Sequence, residues 1–366
     1  MSGTGFGLEE RILRTKAELT QREALLKSRG LTLPDDEEFV VGLYEGEKLV
    51  ATGALVRNVL QGIAVDAGYE GVGAAAAIVS SLLKAAVERG LSQIFLYTAS
   101  EEAFLFEDLG FSRIAAVPHG AALLEWGSQG IGTYLASLRD LSSGKPDRAG
   151  AVVVNGNPFT LGHRALIEHA SSLVPWLYVL VVEEDRSLFP FSVRLRLIRE
   201  GTADLPNVTV IEGGPYIISS ATFPTYFIRP DREKALQRAI HMHAALDLTI
   251  FREYIAPALR ITDRFVGTEP YCSTTSIYNE TMKRILPAET PGGFDFGPRR
   301  APVAVHEMPR FEVDGAAVSA SKVRDLIRGG RLPEAERLVP RTTWKWLTSE
   351  EALPVMERIR NSDSRH

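Results

Sequence analysis

The chain has 366 residues, 45% of them hydrophobic and 24% charged, with a formal net charge of −5 and a single cysteine, Cys272. That length supports two domains, each with its own core. The charge gives no general affinity for nucleic acid, and one cysteine rules out an intrachain disulfide framework and a multi-thiolate metal site.

Residues 8–27 read as a charged amphipathic run without the apolar core of a signal peptide. No later stretch has the length of a membrane span, so a cytoplasmic protein with no membrane partner is expected. Residues 38–44 and 48–55 predict two strands around a Gly46 turn, and the acidic residues 35–38 an exposed turn. A short strand at Ala64 and Val65 leads through Gly71-Val72-Gly73 into an Ala-rich helix ending near Arg89. Residues 91–98 predict a strand and 101–109 a helix stopped by Gly110. Ser, Gly and Pro cluster at 141–147, which reads as a linker. The expected organisation is a first domain over 1–140, the linker, a second domain over 148–330 and a C-terminal helical extension over 331–366.

Beyond the linker, apolar runs at 151–154, 177–182, 208–212, 265–267 and 302–306 predict buried strands. Helical patterns at 162–172, 192–204, 231–246 and 273–285 separate them. That alternation predicts an α/β domain with a parallel, doubly wound, Rossmann-like sheet.

The first of these strands runs into Asn157-Pro158-Phe159-Thr160-Leu161-Gly162-His163 and then a helix. Ligands of open parallel sheets sit at the carboxyl ends of strands, facing helix N-termini whose free N–H groups suit a phosphate. Gly162 permits close backbone approach, His163 is placed to donate to a phosphoryl oxygen, and Thr160 adds a hydroxyl. A second helix opens at Ser319-Ala320-Ser321-Lys322-Val323-Arg324, bringing two hydroxyls, an ammonium and a guanidinium suited to a leaving pyrophosphate. Phe265-Val266-Gly267-Thr268-Glu269-Pro270, at another strand end, offers a place for adenosine.

Three other features carry less. His241 and His243 lie two apart on a helix and face different sides, so no metal site is expected there. Arg194, Arg196 and Arg199 can reach phosphates, and a solvated helix face explains them as well. Cys272 reads as structural or peripheral.

The Thr160/His163 and Ser319/Arg324 motifs, in this order, resemble those of the HIGH-type nucleotidyltransferases, with Thr160 standing where many members have a first histidine. Over nearly the whole chain the sequence resembles the citrate lyase ligases. The matching stretches are residues 157–164, Ala221-Thr222-Phe223-Pro224-Thr225-Tyr226-Phe227, Val266-Gly267-Thr268-Glu269-Pro270, Tyr278-Asn279 and residues 319–324. The resemblance implies that acetate and ATP give acetyl-AMP and pyrophosphate. The acetyl group then passes to the thiol of the phosphoribosyl-dephospho-coenzyme A arm on the acyl carrier subunit of citrate lyase. It implies His163, Thr160, Lys322 and Arg324 as catalytic and Asn157, Phe159, Gly162, Gly267, Glu269, Ser319 and Ser321 as ATP-binding. Mg²⁺ would arrive with ATP, with no protein-held metal and no tightly bound cofactor. Two other readings stay open: a cofactor adenylyltransferase of the phosphopantetheine type, and an acetyltransferase with a degenerate second domain.

The first domain resembles the GNAT acyltransferases, an α+β fold. In their pyrophosphate-holding loop, Gly73 and Ala75 fit, but Glu70 stands where Gln or Arg is usual, and a carboxylate repels a pyrophosphate. Docking of the carrier arm is the expected role, and a retained domain that binds no ligand is the alternative.

Overall fold

The computed structural model describes residues 7–31, 33, 37–183, 187–219, 233–269, 273–288 and 301–362. The segment 221–227, the acidic pair Asp35 and Asp36, Pro270 and Cys272 lie outside them. The described residues form two compact units, one running to Tyr134 and including those from 233 to Leu246, the other comprising the rest.

The first unit contains β1 (Glu9–Ile12), α1 (Lys16–Ser28), β2 (Phe39–Glu45), β3 (Lys48–Val56), β4 (Val59–Val65), α2 (Ala74–Glu88), β5 (Gln93–Ala99), α3 (Ala103–Glu107), β6 (Ser112–Ala116) and β7 (Ala121–Gly127). Among the described residues its sheet has seven strands in the order β1-β2-β3-β4-β5-β7-β6, antiparallel except for the β4–β5 pair. This is the mixed sheet expected of a GNAT-like domain.

Side chains alternate across the sheet. Val41 and Leu43 face Ile78 and Leu82 of α2, while Val40 and Tyr44 face Leu25 and Leu26 of α1. Helix α2 lies so close that a Cβ on Gly53 of β3 would stand 2.6 Å from Ile78 Cγ2 and 2.9 Å from Leu82 Cδ1. Overpacking of this kind costs about 1–3 kcal/mol.

The amphipathic run expected over 8–27 is in fact a strand followed by a helix. Thr15 ends the extended segment, its hydroxyl accepting from the Glu18 amide at 3.3 Å while Glu18 accepts from the Thr15 amide at 2.8 Å. That reciprocal cap starts α1 at Lys16. The strand expected at Ala64–Val65 begins earlier, at Val59, because Arg57 adopts φ 53° and turns the chain back from β3. Glu70 is ion-paired with Arg29.

The second unit takes up most of α4 (Ile131–Ser142), then β8 (Ala149–Val154), α5 (Leu161–Leu173), β9 (Leu177–Val181), α6 (Phe191–Gly201) and β10 (Val208–Glu212). Helix α7 (Glu233–Ile250) continues through a π-turn into a short α8 (Ala256–Ala258), followed by β11 (Ile261–Gly267), α9 (Ser273–Ile285) and β12 (Ala304–Met308). A hairpin of β13 (Glu312–Val313) and β14 (Ala316–Ala317) precedes α10 (Ala320–Arg328), α11 (Arg341–Leu347) and α12 (Leu353–Arg360).

The main sheet has the order β10-β9-β8-β11-β12, and every pair is parallel. The all-apolar β9 is buried throughout, as a strand covered on both faces must be. The residues after 331 belong to the same core: Trp346, Leu347, Met356 and Ile359 pack with Val152, Phe159 and Ile198. The strand order reverses between β8 and β11, so the crevice outside their carboxyl ends is where such a sheet takes a ligand.

Candidate active site

A cavity of about 1690 Å³ opens at that crevice. Two helix N-termini meet on it, Gly162 and His163 from α5 and Ser319 to Lys322 from α10. They touch directly. A Cβ on Gly162 would lie 3.0 Å from the carbonyl oxygen of Val318, so the close approach Gly162 permits is to the chain's own second motif.

Thr160 is the N-cap of α5 and His163 its third residue. The Nδ1 of His163 accepts from the Thr160 amide at 3.1 Å and lies 2.9 Å from the Thr160 hydroxyl. With Nδ1 occupied as an acceptor, the neutral ring carries its hydrogen on Nε2. Burial, and then the positive charge of Arg310, push the imidazole pKa down to about 4. His163 is therefore a neutral Nε2–H donor at physiological pH, its ring stacked on Phe159 at 6.0 Å and 16°. The expected donation from the Thr160 hydroxyl to a ligand is not what the geometry gives. Thr160 is 1% exposed and its hydroxyl lies against His163 Nδ1, while its amide donates to that nitrogen, so Thr160 orients the ring.

Ser319 caps α10, accepting from the Lys322 amide at 3.2 Å. The approach to it is fixed by the Asp314–Gly315 turn, with φ values of 53° and 71°, the conformation a tight two-residue hairpin requires. Arg324 is buried. It donates to the carbonyl of Asn157 and, at 3.2 Å, to Ser321 Oγ. Its guanidinium thus ties the two motifs together while lining the cavity.

The structure brings Thr160, Gly162, His163, Gly267, Glu269, Ser319, Ser321, Lys322 and Arg324 onto one cavity wall. It does not bring Asn157 and Phe159 there. The Asn157 side chain accepts from the Phe189 amide at 3.1 Å, and Phe159 is fully buried in the core, so both shape the wall from behind. Arg194, one candidate for a solvated face, is also fully buried. It donates to the carbonyls of Val182 at 2.7 Å, Asn155 at 2.9 Å and Phe189 at 3.0 Å, clamping the loop after β8. Arg196 pairs with Glu351.

Arg264 and Arg310 on the wall are not singled out in the sequence, and Tyr278 and Asn279 are named only as a stretch shared with the citrate lyase ligases. Arg310 donates to the Thr268 carbonyl at 2.9 Å and pairs with Glu269. Asn279 donates to the Gly267 carbonyl at 3.1 Å, leaving its buried Oδ1 without a donor among the described residues. Arg264, Tyr278 and Asp247 form a further polar group, described below. His243 is fully buried in the first unit, edge-on to Tyr97 at 5.5 Å. Among the described residues no group of three or more His, Cys, Asp or Glu side chains could cage a metal ion, and no helix is long and apolar enough to cross a membrane.

A mixed-sheet unit of the acetyltransferase kind and an all-parallel α/β unit with paired helix N-termini at its switch point define a two-part, Rossmann-like protein. Residues 149–347 match the family described as citrate lyase ligase C-terminal domain, and residues 9–111 match the acetyltransferase (GNAT) family. The citrate (pro-3S)-lyase ligase of Klebsiella pneumoniae is 39% identical over 92% of this chain and 94% of its own. That of Escherichia coli K12 is 37% identical over 90% of each chain, and that of Haemophilus influenzae 34% identical over 92% of this chain and 97% of its own. The chain belongs to the citrate lyase ligase family of enzymes.

Proposed function

We propose that the protein activates acetate with ATP and transfers the acetyl group to the thiol of the phosphoribosyl-dephospho-coenzyme A arm on the acyl carrier subunit of citrate lyase. The observation that carries this reading is the meeting of two helix N-termini, with His163 and the Ser319–Arg324 group, on one cavity at the sheet's switch point. Free amides at both helix starts favour a polyphosphate.

A carboxylate oxygen of acetate bonds to the α-phosphorus of ATP. The bond from that phosphorus to the oxygen bridging to the β-phosphate breaks, and its electron pair leaves with pyrophosphate. Charge gathering on the α-phosphoryl oxygens is met by the Nε2–H of His163, a preorganised donor that needs no proton from solution. Lys322, Arg324 and the α10 amides hold the departing phosphates. The Asn279 Oδ1, buried without a donor among the described residues, is available to a hydroxyl or amino group of adenosine near Gly267. The acidic residues on the wall include Glu269, engaged by Arg310, and Asp325, engaged by Arg328. They fit an Mg²⁺ carried in on the phosphates better than one held by the protein.

Incubation with deacetylated citrate lyase, ATP, Mg²⁺ and acetate should restore citrate cleavage and release AMP and pyrophosphate. ADP as the product, or AMP formation that responds to phosphopantetheine and ignores acetate, would sink this reading.

A further inference from the structure

Arg264 lies on β11 one residue before Phe265, 3% exposed, and lines the cavity from within the sheet. Its Nε and Nη1 are buried and have no hydrogen-bond partner among the described residues. Its guanidinium rests over the Phe251 ring at 4.6 Å. Nearby, the Tyr278 hydroxyl donates to Asp247 Oδ2 at 2.5 Å, and the Ile218 amide donates to Asp247 Oδ1 at 2.6 Å, so this carboxylate has its own donors. A buried guanidinium with unused N–H groups is costly to maintain unless something occupies them.

We propose that Arg264 is the subsite for the carboxylate of the acid substrate, a small monocarboxylate; this rests on the acetate-activating reading above. The planar fork of Arg264 matches the two oxygens of a carboxylate. The ATP triphosphate is the other anion in reach of the cavity, and two observations direct it elsewhere. Asp247 sits close enough to Arg264 to act on it electrostatically, which disfavours a polyanion there. The phosphates have Lys322, Arg324 and two helix N-termini of their own. Met282 and Ile218, on the same cavity wall, give a methyl group an apolar boundary. In the reaction one carboxylate oxygen forms the bond to the α-phosphorus while the other stays on Arg264.

The test uses the full chain and two readouts. In acetate-dependent ATP–pyrophosphate exchange, Arg264→Gln should raise the KM for acetate by roughly 10–100-fold, the effect of losing a charge-assisted pair, while the KM for ATP changes by less than about threefold. Arg264→Lys should recover part of the loss. In thermal unfolding with sodium acetate alone against sodium sulfate at matched ionic strength, the wild type should be stabilised by acetate specifically and Arg264→Gln should not. Arg264→Met, apolar and of similar length, should still fold, so that loss of the acetate response reports on the guanidinium.

A rise in the KM for ATP with the KM for acetate unchanged would assign Arg264 to the triphosphate and overturn the proposal. So would an acetate response retained in Arg264→Gln, or none in the wild type by either readout. If acetate stabilises the wild type through Arg264 yet no exchange occurs, the subsite stands and the ligase reading fails.

Discussion

The guanidinium of Arg324 donates to the backbone carbonyl of Asn157, joining the helix that opens at Ser319 to the loop that precedes Thr160. The residue expected to hold a leaving pyrophosphate is thereby part of the frame that aims His163. Tight contact between Gly162 and Val318 reinforces the same junction. The two motifs share this junction, so a change in either should be felt in both.

Arg324→Lys keeps a cation but cannot span Asn157 and Ser321 together. Loss of one hydrogen bond from a buried charged group should lower stability by about 1.5–3 kcal/mol. Acetate-dependent exchange should fall by more than about tenfold, because a misplaced frame also misplaces the donor. Denaturant unfolding and exchange assays on the same preparation check this. A variant that is destabilised yet exchanges normally would make Arg324 a structural residue alone.

His163→Ala removes the Nε2–H donor and should lower turnover by roughly 10²–10³, the usual loss for one transition-state donor, with ATP affinity changed far less. Thr160 offers a sharper contrast. Thr160→Val removes the hydroxyl that caps α5 and faces Nδ1, so it should cost about 1 kcal/mol of stability and part of the turnover. Thr160→Ser should retain both. Equal activity in the Val and Ser variants would show that the hydroxyl does not position the ring.

The acid limb should be flat where histidine enzymes usually titrate. With its pKa pushed down to about 4, His163 stays neutral in the native protein while an unfolded histidine, near 6.5, takes a proton. His243, also pushed down to about 4 by burial, behaves the same way. The unfolded state therefore binds more protons as pH drops from 6.5 towards 4, and native stability falls over that window. Above it the two states are alike for these groups and the term vanishes. Unfolding free energy measured against pH, with His163→Gln as control, should show the slope reduced in the variant. Exchange activity should show no ionisation due to His163 between about pH 5 and 8. An inflection near neutrality that disappears in His163→Gln would mean the imidazolium is the working form.

Much of this frame is legible in the sequence, for a physical reason. Strands buried on both faces, such as Leu177-Tyr178-Val179-Leu180-Val181, read as unbroken apolar runs. By contrast, Asp263 and Arg264 interrupt Ile261–Gly267, and His306 and Glu307 interrupt Ala304–Met308. Only residues 265–267 of the former are therefore legible as a strand, and the latter is expected two residues early. The motif residues fall at strand ends and helix starts, where position alone suggests phosphate chemistry. What the sequence hides is direction. Thr160 reads in the sequence as a hydroxyl donor to phosphate, and in the structure it caps α5 with its hydroxyl 2.9 Å from His163 Nδ1. Asn157 and Phe159 lie inside the motif but point away from the cavity. Arg264, between Asp263 and Phe265, looks like the solvated residue of an alternating strand, yet it is 3% exposed with its guanidinium over the Phe251 ring. The hairpin at Asp314–Gly315 carried a readable Asp-Gly turn signal.

The first unit should act on the carrier arm and not on acetate activation. Its Ala-rich helix α2 opens at Gly73, which holds φ 81°, a left-handed conformation that favours glycine. The neighbouring Glu70 is paired with Arg29 at the surface. A substitution such as Gly73→Val forces that turn to rearrange, at a cost of about 1–2 kcal/mol, and leaves the cavity of the second unit untouched. In the intact chain it should therefore leave acetate-dependent ATP–pyrophosphate exchange within about twofold of wild type, while acetylation of the citrate lyase carrier subunit slows by roughly tenfold through a higher KM for the carrier. A small thiol acceptor such as free phosphopantetheine, which cannot use an extended docking surface, should be acetylated by both proteins at similar rates. If the Gly73→Val protein acetylates the carrier as well as the wild type does, the first unit does not dock the arm. If exchange collapses together with carrier acetylation, this helix start supports the chemical step itself and the division of labour between the two units is wrong.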